Sequence, residues 1–148
     1  MISVDTNVLV YAVDRDAGDR HSRAAELLER LIRAAVCTQP LQTLSEFFNA
    51  STRKLGIEPA IAAEFVEGWR TVIPVEPASA DDLSDAIRGV REHGLSFWDA
   101  MLWATVRRTG IRLLLSEDFQ DGRIIEGVRI ANPFEPSNGP MIERTLAR

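Results

Sequence analysis

Residues 1–14 read MISVDTNVLVYAVD, an apolar run broken by a carboxylate at Asp5 and resumed at Val8, Leu9, Tyr11 and Ala12. The segment ISV has the composition of a short strand, and the later spacing is that of a helix entered through Asp5 and Thr6. A strand that runs straight into a helix is the first half of an α/β unit. An acid at that junction is costly, because an unpaired buried charge loses several kcal/mol or titrates away. Asp5 therefore needs a partner, and the rest of the chain must supply it.

Working outward, Asp19 to Ala35 shows the clearest helical periodicity, with Ala24, Leu27, Leu28, Leu31 and Ile32 on one side and Glu26, Glu29, Arg30 and Arg33 on the other. A strand is expected at Val36 to Thr38, then a helix opened by Pro40 and running to about Lys54. A further helix is expected from Glu58-Pro59 to Trp69, and a brief strand in TVIPV at 71–75. Helices are expected again over Ser79 to His93 and Ser96 to Thr109. The apolar strand IRLLL leads into SEDFQDG, and a last strand lies near Val128 to Ala131. Strands alternating with helices predict an α/β sandwich, a mostly parallel sheet of about five short strands flanked by helices. Residues 135–148, with Pro136, Gly139 and Pro140, have little periodicity and read as a tail that is loose or ordered only by docking.

With 148 residues, 45% hydrophobic and 26% charged, the chain fits one globular domain. Its longest apolar runs, such as Val8 to Val13, fall far short of the ~20 residues that span a bilayer. The absence of a basic stretch leading a long apolar one argues against a signal peptide, so a cytoplasmic protein without membrane association is expected. Cys37, the single cysteine, sits in AAVCT and reads as a small buried hydrophobe. His21 and His93 belong to no zinc-ligand pattern; His93-Gly94 reads as a helix end, with the ring near the last carbonyls and glycine as the cap. The net charge of −5 argues against a polyanionic partner unless acids are neutralised by cations.

Four acids stand out. Asp5 follows ISV and Asp118 follows LLLSE, so two strands each deliver a carboxylate to the carboxyl edge of a parallel sheet, where functional groups gather. Helix capping is the plainer account of each taken alone. Asp99, in SFWDAMLWA, fits a capping box with Ser96, yet it leads an apolar stripe through Leu102, Trp103 and Val106 and has no basic residue one turn away. Glu46 lies among Gln42, Thr43, Asn49 and Arg53 on what would ordinarily be a solvated stripe. If all four converge they repel, unless a hard cation such as Mg²⁺ or Mn²⁺ neutralises them. Such a site polarises water for phosphodiester cleavage.

VDTN at 4–7, SEF at 45–47, FWDA at 97–100 and SEDFQDG at 116–122, in that order, resemble the PIN-domain ribonucleases, and most closely the VapC toxins of bacterial toxin-antitoxin modules. NPF at 132–134 resembles a common ending of these toxins. The resemblance runs from residue 1 to about Phe134, so 1–134 is expected to be a PIN domain with a three-layer fold and 135–148 a C-terminal tail. It implies that Asp5, Glu46, Asp99 and Asp118 are catalytic metal ligands for Mg²⁺ or Mn²⁺. Thr6, Asn7 and Ser116 would orient them, and Asp121 would act as an outer or water-mediated acid. Glu117 is expected to point away. The resemblance further implies cleavage of single-stranded RNA, a homodimer and a cognate antitoxin that blocks the site. Arg15, Arg53 or Arg112 are candidates for RNA contact, and Tyr11, Phe97 and Trp98 for base stacking.

Other readings fit less well. A phospho-acceptor receiver needs a lysine after a late strand, and Lys54, the only lysine, is early. A haloacid-dehalogenase-type phosphatase needs Asp-x-Asp after its first strand, and position 7 is Asn. A non-catalytic binding module whose acids merely cap helices, or an RNA-processing nuclease outside a toxin-antitoxin pair, remain the alternatives.

Overall fold

The computed structural model describes residues 1–147. Its elements in chain order are β1 (Ile2–Val4), α1 (Thr6–Val13), α2 (Asp19–Arg33), β2 (Gln39–Pro40), α3 (Leu41–Arg53), α4 (Pro59–Val72), β3 (Val75–Glu76), α5 (Ala80–His93), α6 (Phe97–Arg108), β4 (Leu113–Leu115), β5 (Ile124–Ile125), β6 (Val128–Ala131) and α7 (Gly139–Leu146).

The principal sheet has the order β1-β4-β6-β5, with β1, β4 and β6 parallel and β5 antiparallel to β6. The central strand β4 is a continuous apolar run because both faces of the sheet are covered there, whereas β6 is interrupted by the exposed Arg129. In β4 the alternation is direct: Leu113 and Leu115 join a core with α1, α2 and α3, while Leu114 points the other way into a core with α5 and α6. The expected three-layer sandwich is therefore present.

Local differences from the sequence expectation have local causes. The strand expected at 36–38 contributes a single bridge, Cys37 to Ile2, and the chain pairs instead one step later as β2 beside β3. TVIPV is not a strand; α4 runs through Val72, and the ladder begins after Pro74, whose ring has no N–H to give it. Strand β6 lies where the last strand is expected, whereas its antiparallel partner β5 has no expected counterpart. The two-residue turn between them, Glu126-Gly127, has φ of 47° and 87°, the mirror-image turn that matches strand twist. Glu126 holds this unfavourable backbone while its carboxylate accepts from Arg88 and from His93 Nε2 at 2.8 Å. The His93 ring thus meets Glu126 rather than the end of its own helix, although Gly94 does cap α5 with φ 67°.

Between α5 and α6 the fit is close at Gly89, where a Cβ would stand 3.0 Å from Trp103 Cζ3. Cys37 is buried, and burial pushes its thiol up to about 12, in keeping with a packing role. Residues 135–147 are not loose. Ile142 of α7 is buried in the core that includes α2, and the Glu143 carboxylate accepts from Arg30 Nη1 and Nη2.

Candidate active site

The carboxyl ends of β1 and β4 lie side by side, Val4 in register with Leu115, so the residues that follow them share one edge. That edge opens into a cleft of about 720 Å³. Asp5, Glu46, Asp99 and Asp118 all line it, one from the end of β1, one from the middle of α3, one from the first turn of α6 and one from the loop after β4.

Asp5 is 5% exposed and stands at the N-cap of α1. Its Oδ1 accepts from the Thr6 N–H at 2.7 Å and its Oδ2 from the Ser116 hydroxyl at 2.6 Å. Capping and convergence are thus the same geometry, and two neutral donors, not a cation, hold the carboxylate here. They do not offset its isolation. Burial, aided by the nearby charges of Asp118 and Asp99 and opposed by the two donors, pushes Asp5 up to about 6.

Around it the polar side chains form a chain. Ser116 Oγ also accepts from the Asp118 N–H at 3.1 Å and faces Asn7 Nδ2 at 3.4 Å. Thr6 Oγ1 donates to Glu46 Oε2 at 2.8 Å, and Gln42 Nε2 donates both to Glu46 Oε1 at 2.8 Å and to the Trp98 carbonyl at 2.9 Å. Gln42 therefore ties Glu46 to the start of α6, next to Asp99. Asp99 is half-buried; burial raises it, the Ser96 hydroxyl opposes this, and the charges of Asp118 and Glu46 raise it further. The capping box expected of Ser96 and Asp99 is not formed, since the Ser96 side chain caps no helix N–H. Asp99 is left facing the cleft.

Asp121 does not join the cleft. Its Oδ1 accepts from the Asn132 N–H and from Asn138 Nδ2, both at 2.8 Å, which fastens the loop after β4 to the segment before α7. Glu117 points away as expected, accepting from Tyr11 Oη at 2.7 Å and Arg20 Nε at 2.8 Å. Of the arginines singled out in the sequence, Arg53 lines the cleft beside Lys54; Arg112 lines a separate hollow with Met1 and Val36. Asn49 and Lys54 line the cleft but carry no motif, so nothing in the sequence separates them from a solvated surface; Gln42 lies outside the cleft lining and reaches it through its bond to Glu46.

The donor set is all oxygen, which suits a hard divalent cation. Two observations fit such an ion. Asp5 is buried and, among the described residues, has only the neutral donors Thr6 and Ser116 as partners, and Asn7 Oδ1 is buried with no hydrogen-bond partner among those residues. Among the described residues, however, no three acidic, histidine or cysteine side chains are gathered into a ready coordination shell. Carboxylates without a counter-ion repel one another, and Asp118 is exposed rather than fixed by packing.

Residues 2–121 match the family model of the PIN domain. The chain belongs to the PIN domain family. Among solved structures, this PIN domain is similar to Mycobacterium tuberculosis VapC20, described as a sarcin-ricin loop cleaving toxin. The two are 30% identical over 87% of this chain and 99% of that one, with a TM-score of 0.64. A toxin-antitoxin complex from Klebsiella pneumoniae matches at 22% identity over 91% and 99%, TM-score 0.63. FitAB from a structure bound to a DNA fragment matches at 17% over 91% and 96%, TM-score 0.67; at these identities the likeness is one of fold. No curated protein matches the sequence. Among the described residues of this PIN domain, no helix is long and apolar enough to cross a membrane.

Proposed function

We propose that this PIN domain is a divalent-metal-dependent endoribonuclease acting on single-stranded RNA, and the toxin of a toxin-antitoxin pair. The observation that carries the reading is the meeting, in one cleft, of four carboxylates drawn from four separate elements, with Ser116 and Thr6 hydrogen-bonded to two of them. The 30% identity to a VapC toxin across nearly its whole length supports the same reading. In it, Asp5, Asp99 and Asp118 hold Mg²⁺ or Mn²⁺, and Glu46 completes the set or orients the attacking water. The bound ion supplies Lewis-acid polarisation of a phosphate oxygen and a more acidic water. Ser116 and the Thr6 N–H hold Asp5, Asn7 faces Ser116, and Gln42 and the Thr6 hydroxyl fix the Glu46 carboxylate at the cleft. A cognate antitoxin is a further part of the proposal, in keeping with the toxin-antitoxin complex among the similar structures; its covering the cleft, and a homodimer, are what the resemblance to VapC toxins implies.

Purified protein incubated with end-labelled single-stranded RNA is the direct test. Cleavage in Mg²⁺, lost in EDTA and lost in Asp99→Asn with an unchanged circular dichroism spectrum, is expected. Wild-type cleavage by Asp99→Asn, or full activity in EDTA, would overturn the assignment. Co-purification of a small protein encoded next to the gene, with suppression of cleavage, tests the toxin reading against a processing nuclease.

A further inference from the structure

We propose that the cleft grips single-stranded RNA at two ends: Arg53 and Lys54 hold backbone phosphate at one, and the Trp98 ring stacks a base at the other. This rests on the nuclease reading of the same cleft and extends it to the path of the substrate.

Along α3, Gln42, Glu46, Asn49 and Arg53 recur at intervals of four, three and four, so they share a face, and the last three line the cleft. The face carries an order. Gln42, at its N-terminal end, is bonded to the Trp98 carbonyl, which places Trp98 and Asp99 there. Glu46 follows one turn on. Arg53 lies seven residues beyond Glu46, about 10 Å along the helix at its standard rise. The acids are therefore flanked, with an aromatic ring on one side and two cations on the other.

Arg53 and Lys54 are both exposed, and among the described residues neither is paired with a carboxylate. Several other arginines are engaged: Arg20 with Glu117, Arg30 with Glu143, Arg88 and Arg107 with Glu126, Arg108 with Asp82. Favourable interaction with the C-terminal dipole of α3 accounts for a cation at Arg53. It does not account for two cations left open on the rim of a cleft that holds four acids. Phosphate is the anion such a pair would take, with the Arg53 fork and the Lys54 point charge each meeting an oxygen.

Trp98 is 63% exposed although its neighbour Ala100 is fully buried. Its backbone is held by Gln42, and its ring, edge-on to Phe97 with centroids 5.0 Å apart, stays largely open to solvent, the arrangement of a stacking platform. Stacking on one exposed ring requires an unpaired base, so a single strand is the form that fits.

The test compares two double variants that remove equal charge. Arg53→Gln/Lys54→Gln takes it from the cleft; Arg91→Gln/Arg129→Gln takes it from exposed arginines elsewhere. The probe is an unstructured, fluorescently labelled RNA of about a dozen nucleotides. Cleavage is followed for KM and kcat, and binding by anisotropy to Asp99→Asn protein and to each variant built on it, between about 50 and 200 mM salt. The cleft pair is expected to raise KM about tenfold or more with kcat little changed. It should also flatten the slope of log affinity against log salt by about 1.4, two contacts at about 0.7 each. Trp98→Ala is expected to weaken binding about tenfold without altering that slope, and Trp98→Phe to recover most of the loss. Equal effects from the two double variants, tighter binding to a duplex of the same sequence, or no RNA binding at all would overturn the proposal. If RNA binds in a manner dependent on Arg53 and Lys54 but wild-type protein does not cut it, the grip stands and the nuclease reading falls.

Discussion

The Ser116 hydroxyl donates to Asp5 Oδ2 at 2.6 Å across 111 residues of sequence, because β1 and β4 are adjacent parallel strands that end at the same level. The same oxygen accepts from the Asp118 N–H, so one hydroxyl orients two of the acids. Ser116→Ala removes a donor that opposes the upward shift of Asp5. Cleavage is expected to fall by about 10- to 100-fold, the usual effect of losing a ligand-orienting group. The acidic limb of the pH–rate profile should move to higher pH, and a profile measured in saturating Mg²⁺ checks this.

Asp5, shifted from 3.8 to about 6, makes the metal-free protein a victim of its own site. The folded state holds this proton more tightly than the unfolded chain does, so the contribution of Asp5 to stability is greatest below about pH 4 and is lost as pH rises through about 6. The cost at neutral pH is about 3 kcal/mol, to order of magnitude. In EDTA at about pH 7, Asp5→Asn is expected to melt at a higher temperature than wild type while lacking cleavage. Mg²⁺ should raise the Tm of wild type and not of the variant. A lower Tm for Asp5→Asn under these conditions would contradict the account.

Gln39 is fully buried and behaves as a short stretch of strand beside β1. Its Oε1 accepts from the Val4 N–H at 2.9 Å, and its Nε2 donates to the Val4 carbonyl and to Thr43 Oγ1, both at 3.0 Å. Gln39→Leu leaves both Val4 backbone groups unsatisfied next to Asp5, and is expected to lose about 2–4 kcal/mol. Urea denaturation should show a lower midpoint with an unchanged slope.

Asp82 combines a capping box with Ser79 and a pair with Arg108 Nε at 2.9 Å. Burial acts to raise its carboxyl, and the Arg108 bond with the Ser79 N–H and Thr105 hydroxyl outweighs this and holds it below the usual range. Its contribution is present above about pH 4 and is lost as pH falls through the lowered value. Asp82→Ala is expected to cost about 2–3 kcal/mol at neutral pH. The difference from wild type should shrink in acid, as thermal melts at successive pH values would show.

The sequence by itself determined helices α1 to α6, strands β1, β4 and β6, and which acids were worth following, but not α7, β5 or the β2–β3 pair. Periodicity in Asp19 to Ala35 and the apolar run through Leu113 to Leu115 report burial directly, so α2 and β4 were legible. Asp5 was legible because a carboxylate at the end of an apolar strand demands a partner. Only the tertiary structure decided what each polar residue meets. Asp118 and Asp121 are three apart in one loop, yet the first lines the cleft and the second fastens α7. Glu46 and Glu117 are equally bland in sequence, yet one faces Thr6 and the acids while the other faces Tyr11 and Arg20. Local propensity fixes the period of a segment, whereas a polar side chain's partner depends on strand register and helix rotation, which the packing of the two cores sets. For that reason the whole cleft, with Arg53 and Lys54 at the end of α3 and Trp98 at the start of α6, exists only once β1, β4, α3 and α6 are brought together.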